Sequence, residues 1–158
     1  MNNSKPNYRA KEGQDKWVLN ILDNKSNGYF VDIGAHDGYH DSNSYVLEKD
    51  FNWNGICVEP HYWAALELQK HRKCNIEVAC ISDIDGEVEF VQRGRNQQIS
   101  GMYHPDVDEH VINQVDLHFH PLVKKPSLTL LSLLDKYKAH PVIDYLSLDF
   151  NLKKHLLQ

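Results

Sequence analysis

The sequence predicts an α/β protein built on a parallel β-sheet. Three observations support this class. Short apolar runs alternate with segments of helical spacing, several of these runs end in an acidic residue, and a glycine-rich connection follows the first of them. The 158 residues correspond to about one domain and are enough to bury a core.

The first half of the chain predicts a βαβαβ unit. Its strands are apolar or rich in β-branched residues, and Asn27-Gly28 is a typical end for the first helix. In order, the elements are a helix over Asp15 to Leu22, a strand over Tyr29 to Ile33, a helix capped by Asp41 or Ser42 and ending near Asn52 to Gly55, a strand over Ile56 to Val58, a helix over His61 to Arg72 and a strand over Asn75 to Ile81. Right-handed crossovers would place these strands side by side in one parallel sheet.

Helical spacing also predicts which residues face the core. The positions at this spacing are Trp17, Val18, Ile21 and Leu22 in the first helix, Tyr45, Val46 and Leu47 in the second, and Trp63, Leu66 and Lys70 in the third.

The second half of the chain is less regular. Residues 83–126 show no sustained period and are interpreted as an insertion near the site. Within it, the sequence predicts a turn at Asp85-Gly86 and an edge strand over Glu87 to Val91. After it, the sequence predicts a helix over Leu128 to Tyr137 and a fourth strand over Ile143 to Leu148 that ends at Asp149.

Composition narrows the function classes. The 17 Lys and Arg against 22 Asp and Glu give a formal net charge of −5 with no dense basic block, so nucleic acid is not an expected partner. A polar amino terminus and the lack of a long apolar stretch predict a cytoplasmic protein with no membrane contact. Cys57, Cys74 and Cys80 form no CxxC pair and are predicted to be buried thiols.

Acidic residues and glycines at the predicted strand ends indicate a ligand site. Gly34 and Gly38 tolerate unusual backbone angles and would let a ligand approach main-chain amides, while Asp32 can accept hydrogen bonds that shape the loop. Glu59 ends the second strand, where a carboxylate can accept both hydroxyls of a ribose. Asp83 follows the third strand and could receive an adenine amino group. Three acids at successive strand ends favour a site over three solvated turn residues.

The glycine spacing argues against a phosphate-bearing ligand. A dinucleotide fingerprint that starts at Gly34 needs glycines at positions 36 and 39, where the chain has His36 and Tyr39, and no Gly-Lys-Ser/Thr follows. S-adenosylmethionine has adenine, ribose and an amino acid moiety without phosphates, and therefore fits better. A nicotinamide-dependent oxidoreductase is the less favoured alternative, because fold alone does not separate the two.

Several motifs occur together in the order seen in one family. GYFVDIGAHDG, SNSYVLEKDFNWNGICVEP, NIEVACISDIDGEVEF, ISGM and IDYLSLD resemble the FkbM family of S-adenosylmethionine-dependent methyltransferases over residues 13 to 149. The resemblance implies a partial Rossmann-like class I methyltransferase sheet of strand order 3-2-1-4 with helices on both faces. It also implies O-methylation of a hydroxyl on a sugar or other small molecule. It divides the chain into a helical segment (1–27), the methyltransferase domain (28–149) and an atypical tail (150–158).

The resemblance also implies particular roles. The residues expected to contact the cofactor are Asp32, Gly34, Ala35, Asp37 and Gly38 in the glycine connection, Glu59 at the ribose, and Ser82 and Asp83 on the adenine side. Methyl transfer to a hydroxyl is helped by a general base. Candidates near the crevice are His36, Asp37, His104 and Asp149, of which Asp149 and His104 are selected. No metal is expected, since His118-Phe119-His120 has no third ligand positioned by the sequence.

The chain departs from the family after the fourth strand. It reads Asp149-Phe150-Asn151-Leu152 where family members continue with an acid-glycine pair and further strands. A C-terminally truncated methyltransferase is therefore predicted, with weak cofactor binding and little methyl transfer. A cofactor-binding remnant without catalysis is the main alternative function. Exposure of Tyr145, Leu146 and Leu148 along an unpaired fourth strand would favour self-association.

Overall fold

Helices and strands alternate along the first half of the chain. A computed structural model describes residues 6–92, 101–102 and 122–149. Within these ranges the helices are α1 (Gln14–Ile21), α2 (Tyr45–Phe51), α3 (Tyr62–His71) and α4 (Leu130–Lys136). The strands are β1 (Tyr29–Ile33), β2 (Asn54–Val58), β3 (Asn75–Glu77), β4 (Cys80–Ile81), β5 (Gly86–Val91), β6 (Gly101–Met102), β7 (Leu122–Leu128) and β8 (Tyr145–Leu148). The mixed α/β class predicted from the sequence is confirmed.

Four parallel strands form the main sheet, in the order β3-β2-β1-β8. β1 lies in the middle, with Asp32 opposite Cys57 of β2 and Ser147 of β8. Because all four strands run the same way, their carboxyl ends meet at one edge, which is where ligands bind in open α/β sheets. Assignment of this sheet to the Rossmann-like fold of class I methyltransferases stays a prediction.

Helices cover both faces of the main sheet. Successive side chains of a strand point to opposite faces, so β1 and β2 each contribute residues to both core clusters. On one face, Phe30 and Cys57 pack in a cluster with residues from α1, α2 and α3. On the other face, Val31 and Ile56 pack in a cluster with Leu133 of α4. The sheet therefore forms the middle layer of the described structure.

The predicted third strand is divided between two sheets. Asn75–Glu77 pairs with β2 as β3, whereas Cys80–Ile81 pairs with β7 as β4. The chain leaves the main sheet after Glu77, which lies opposite Val58, the last residue of β2. The prediction of a single strand over Asn75 to Ile81 was therefore wrong. A run rich in β-branched residues does not show where a strand changes its pairing partner.

A second sheet of order β4-β7-β5-β6 occupies part of the predicted insertion. β5 lies between β7 and β6, so its prediction as an edge strand was wrong. β7 was not predicted, since two lysines and Pro126 interrupt its apolar pattern. Pro126 lies opposite Glu87 of β5, while β4 pairs only with Ser127 and Leu128. Among the described residues, Pro126 therefore has a strand partner on one side only. A proline is tolerated at such a position, because it has no N–H to donate to a second strand.

Two predicted helix faces were wrong in part, although Val18 is buried and Leu22 packs against the first core cluster, as predicted. In α1 the buried residues are Asp15, Val18 and Leu19, while Trp17 and Ile21 are exposed. Small residues explain the same error in α3, where Ala64 and Ala65 lie against the sheet with Leu68. Trp63 is 42% exposed. Apolar size is therefore a poor guide to the inner face where a helix approaches closely through alanines.

The three cysteines are free and buried, as predicted: Cys57, Cys74 and Cys80. Burial raises the pKa of Cys80 to about 12 and keeps its thiol protonated near neutral pH. None of the helices in the described ranges combines the length and apolar character needed to cross a bilayer.

Candidate functional site

The connection between β1 and α2, residues 34–44, is here called the glycine loop. It turns sharply at the edge of the main sheet, where the N–H groups of Gly34 and Ala35 both donate to the carbonyl of Val58, at 2.9 and 3.0 Å. His36 and Asp41 have positive φ angles of 49° and 53°. Such angles cost a non-glycine residue on the order of 1–2 kcal/mol. The loop therefore needs contacts that hold it in this conformation.

Both loop glycines are required by packing within the chain. Gly34 has φ 84°, and a Cβ there would lie 2.5 Å from the carbonyl oxygen of Asp149. Gly38 has φ 70°, and a Cβ there would overlap the side chains of Leu68 and Arg72. These contacts explain the two glycines without a ligand, so close approach of a cofactor at these positions stays a prediction.

Asp32 lies on the face of β1 that α1, α2 and α3 cover. Its side chain is buried, and its Oδ2 accepts a hydrogen bond of 2.5 Å from the Ser44 hydroxyl at the end of the glycine loop. Burial raises the pKa of Asp32, and the hydroxyls of Ser44 and Ser147 and the charge of Arg72 counteract this only in part. Asp32 therefore shapes the loop, as predicted. A contact between Asp32 and a cofactor stays a prediction.

Glu59 connects the glycine loop to the start of α3. Its Oε2 accepts the N–H of His36 at 2.9 Å, and its Oε1 accepts the N–H of His61 at 2.7 Å. Burial raises the pKa of Glu59, while these two N–H groups and the charges of His36 and Lys125 oppose the rise. The carboxylate thus lies at the carboxyl end of β2, where the sequence predicted it, and is held from both sides.

Asp37 closes a turn within the glycine loop. Its Oδ1 accepts the N–H groups of Tyr39 and His40, both at 2.9 Å, and its Oδ2 lies 2.6 Å from Nδ1 of the His40 ring. Burial alone would raise the pKa of Asp37, but these partners outweigh it and lower the pKa. The side chain therefore has a structural role in addition to any predicted cofactor contact. Ala35 is buried in the first core cluster.

Ser82 and Asp83 follow β4 in the second sheet and do not end a strand of the main sheet. The Ser82 hydroxyl lies 2.6 Å from that of Ser127 and donates to the Ile84 carbonyl at 3.1 Å, whereas Asp83 is exposed. The argument that three acids end successive strands of one sheet was therefore wrong for Asp83.

The third strand of the main sheet ends instead at Glu77. Its carboxylate accepts hydrogen bonds from Lys136 at 2.5 Å and from the Tyr137 hydroxyl at 3.0 Å. Its backbone carbonyl accepts the N–H of Glu59 at 3.0 Å. Glu77 therefore joins α4 to the sheet edge that carries Glu59.

Asp149 follows β8 directly beside β1. Its N–H donates to the Ile33 carbonyl at 2.9 Å, and its backbone lies against Gly34. Its side chain is exposed at this edge. The other selected general base, His104, lies outside the described residues, as do His118, His120 and the tail over 150–158.

Two site residues were missed by the sequence analysis. Lys125 of β7 contributes positive charge at Glu59 and lies 5.8 Å above the Phe90 ring. Arg72, at the end of α3, is buried behind the glycine loop. No sequence signal pointed to Lys125, because its strand was not predicted. Arg72 was predicted only as the last residue of a helix, with no role in the site. Among the described residues, no group of three or more His, Cys, Asp or Glu side chains is placed to hold a metal ion.

The described structure thus brings a glycine loop, a buried acid after β2 and an exposed acid after β8 to one edge of a parallel sheet. This arrangement defines the class of α/β proteins that bind a ligand beyond the carboxyl ends of their strands. The profile of the family described as "Methyltransferase FkbM domain" matches residues 32–150, so the chain belongs to that family and is a methyltransferase by membership. No curated protein and no solved structure matches the chain.

Proposed function

We propose that the protein is an S-adenosylmethionine-dependent methyltransferase acting on a hydroxyl of a small molecule or sugar. The observation that carries this proposal is the position of the glycine loop, which contacts both Glu59, through His36, and the backbone of Asp149, through Gly34. One loop therefore adjoins a predicted ribose acceptor on one side and a predicted general base on the other. Membership of the FkbM methyltransferase family supports the choice of cofactor.

The residues at this edge fit the proposed cofactor. An ionised carboxylate has about four lone-pair sites, and the two backbone N–H groups use only one on each oxygen of Glu59. Each oxygen therefore keeps capacity for a ribose hydroxyl. Near it, Nδ1 of His36 is buried without a hydrogen-bond partner in the described part of the chain. It lies 3.7 Å from Oδ1 of Asp37 within the glycine loop.

The proposed cofactor contacts follow from these positions and from the family resemblance. Glu59 would hold the ribose hydroxyls, and the loop residues Gly34, Ala35, Asp37 and Gly38 would line the amino acid moiety. Ser82 and Asp83 stay proposed for the adenine side. S-adenosylmethionine, when bound, supplies a methyl group on a positively charged sulfur.

The protein's own part in the reaction is to bind, orient and remove a proton. Asp149 has an exposed carboxylate at the edge of β8 and would take the proton of the acceptor hydroxyl. Because most of the rate can come from positioning, rigid support of the glycine loop by Glu59 matters as much as the base. A small-molecule or glycan acceptor is the proposed partner. A cytoplasmic location stays a prediction.

Calorimetric titration with S-adenosylmethionine tests the cofactor, and methyl transfer to a panel of sugars and phenols tests the reaction. We expect binding of the cofactor and transfer to at least one hydroxyl acceptor. Binding without transfer to any acceptor would favour the cofactor-binding remnant. A larger thermal shift with NAD than with S-adenosylmethionine would favour the oxidoreductase.

Self-association through β8 is a separate proposal. Leu146 and Leu148 are exposed on this strand, which pairs with β1 alone among the described strands. Tyr145, predicted to be exposed with them, instead packs partly buried against the first core cluster. The mass of the protein in solution, measured for the wild type and for Leu146→Lys, tests the proposal. A monomeric wild type would contradict it.

A further inference from the structure

A buried arginine lies directly behind the glycine loop. Arg72 follows the last turn of α3, where its N–H donates to the Leu68 carbonyl at 3.0 Å, and its side chain has no exposed surface. Arginine is rarely buried to this extent unless it is paired. The position therefore calls for partners that compensate the loss of water.

The Arg72 guanidinium contacts the loop at three residues and α2 at one. Nε donates to Oε2 of Glu48 at 2.7 Å. Nη1 lies 3.4 Å from both the Gly38 carbonyl and the Ser42 hydroxyl, and Nη2 donates to the carbonyl and hydroxyl oxygens of Ser44 at 3.3 and 3.1 Å. One planar group thus links the middle of the glycine loop, its end and the following helix.

The charge of Arg72 also acts on the Asp32 carboxylate of β1. The Ser44 hydroxyl accepts from Arg72 and donates to Asp32 at 2.5 Å, so the arginine reaches the Asp32 carboxylate through a single hydroxyl. Burial would raise the pKa of Glu48, but the charge and hydrogen bond of Arg72 outweigh it and lower the pKa. The cation therefore compensates two buried carboxylates. Within the described ranges, its removal would leave Asp32 without this positive partner and Glu48 with only Lys49, whose Nζ lies 3.9 Å from Oε1.

We propose that Arg72 is a positioning residue that holds the glycine loop in its cofactor-receiving conformation, with Glu48 fixing the guanidinium. The loop is otherwise held from the opposite side by Glu59, through the N–H of His36. Because a lysine ammonium is a point charge and lacks the planar fork, it cannot reproduce the contacts to the Gly38 carbonyl and to Glu48 together. The inference rests on the proposed function for its ligand, but its effect on the loop does not need a ligand.

Arg72→Lys and Glu48→Gln test the proposal, with Lys70→Gln as control. Lys70 lies on α3, two residues before Arg72, in an exposed ion pair with Glu67. We expect Arg72→Lys and Glu48→Gln each to weaken S-adenosylmethionine binding by about tenfold or more, measured by calorimetry on folded protein. The double variant should bind S-adenosylmethionine hardly worse than the single variant with the lower affinity, because the two residues act as one unit.

Amide hydrogen exchange gives a second reading that is independent of the cofactor. The Gly38 N–H donates to the Ala35 carbonyl at 2.9 Å inside the loop. We expect its exchange to accelerate in Arg72→Lys and Glu48→Gln relative to amides of β1, and to remain unchanged in Lys70→Gln.

The proposal would be overturned if the folded variants kept wild-type affinity and wild-type exchange of the Gly38 amide and showed only a lower melting temperature. Arg72 would then have a purely structural role. If Arg72→Lys does not fold, Glu48→Gln decides the question, since it keeps the arginine. If the wild type does not bind S-adenosylmethionine, the proposed function fails, and the exchange of Gly38 still decides whether Arg72 positions the loop.

Discussion

Replacing Glu59 by alanine should weaken both the glycine loop and cofactor binding. The carboxylate accepts the N–H of His36 in the loop at 2.9 Å and that of His61 before α3 at 2.7 Å. The side chain is only 7% exposed. Water therefore cannot readily replace the carboxylate, and both N–H groups would lose their acceptor.

The magnitude follows from these two contacts. A buried donor left without an acceptor costs about 1–3 kcal/mol, so two donors cost about 2–6 kcal/mol. Removing a buried carboxylate also relieves its desolvation, which is the cause of its raised pKa. We expect a net loss of about 2–4 kcal/mol in the free energy of unfolding. Loss of the charged acceptor for ribose should weaken S-adenosylmethionine binding by about 1–3 kcal/mol.

The raised pKa of Glu59 also gives a pH dependence with a definite sign. The folded protein holds this proton more tightly than the unfolded chain, whose pKa is 4.5. The contribution of Glu59 to stability is therefore full below pH 4.5 and is lost as the pH rises through the folded pKa. Cofactor affinity should rise over the same window, because the ionised form is the better acceptor. Glu59→Gln should abolish both changes.

Denaturant unfolding and calorimetry on Glu59→Ala, Glu59→Gln and Glu67→Ala would measure these effects. Glu67 is exposed and contacts Lys70 on the same helix, so its removal should leave stability and affinity unchanged. Comparison of the wild type with Glu59→Gln separates the titration of Glu59 from that of Asp32, whose pKa is also raised. Unchanged stability and affinity in Glu59→Ala would refute both roles.

Three further predictions concern the loop, the base and α4. Gly34→Ala should cost about 2–5 kcal/mol of stability, more than Gly13→Ala, because the two share a similar positive φ but only Gly34 faces Asp149. Asp149→Asn should lower the rate of methyl transfer by about 10²–10⁴-fold without changing cofactor affinity. Asp85 accepts the Ser132 hydroxyl at 2.5 Å and the Thr129 N–H at 2.6 Å, and these two bonds lower its pKa below 3.8. Asp85→Asn should therefore reduce the loss of stability as the pH falls below 3.8.

Each of these has an outcome that would contradict it. Equal destabilisation by Gly34→Ala and Gly13→Ala in chemical unfolding would show that contact with Asp149 is unimportant. A fully active Asp149→Asn enzyme would remove Asp149 as the base. Identical acid unfolding profiles for the wild type and Asp85→Asn would mean that Asp85 does not support α4 through its charge.

Local sequence pattern was sufficient to predict the first strands, the glycine loop and Glu59. A short apolar run such as Tyr29–Ile33, followed by a glycine turn, predicts a buried strand, and an acid directly after such a run is expected at the sheet edge. The same local logic located Asp149 at the end of β8. These features depend on residues adjacent in the chain, so the sequence alone determined them.

Tertiary structure decided the features that depend on distant partners. The chain between Glu77 and Cys80 changes sheets because Cys80 pairs with Ser127, a residue in a strand whose lysines and proline conceal it. The need for glycine at position 34 arises from Asp149, which is far away in sequence. The sequence identifies Arg72 only as the end of a predicted helix, whereas in the structure α2 and the glycine loop surround it with acceptors. Burial and hydrogen bonding are properties of the assembled fold, and short-range spacing does not contain them.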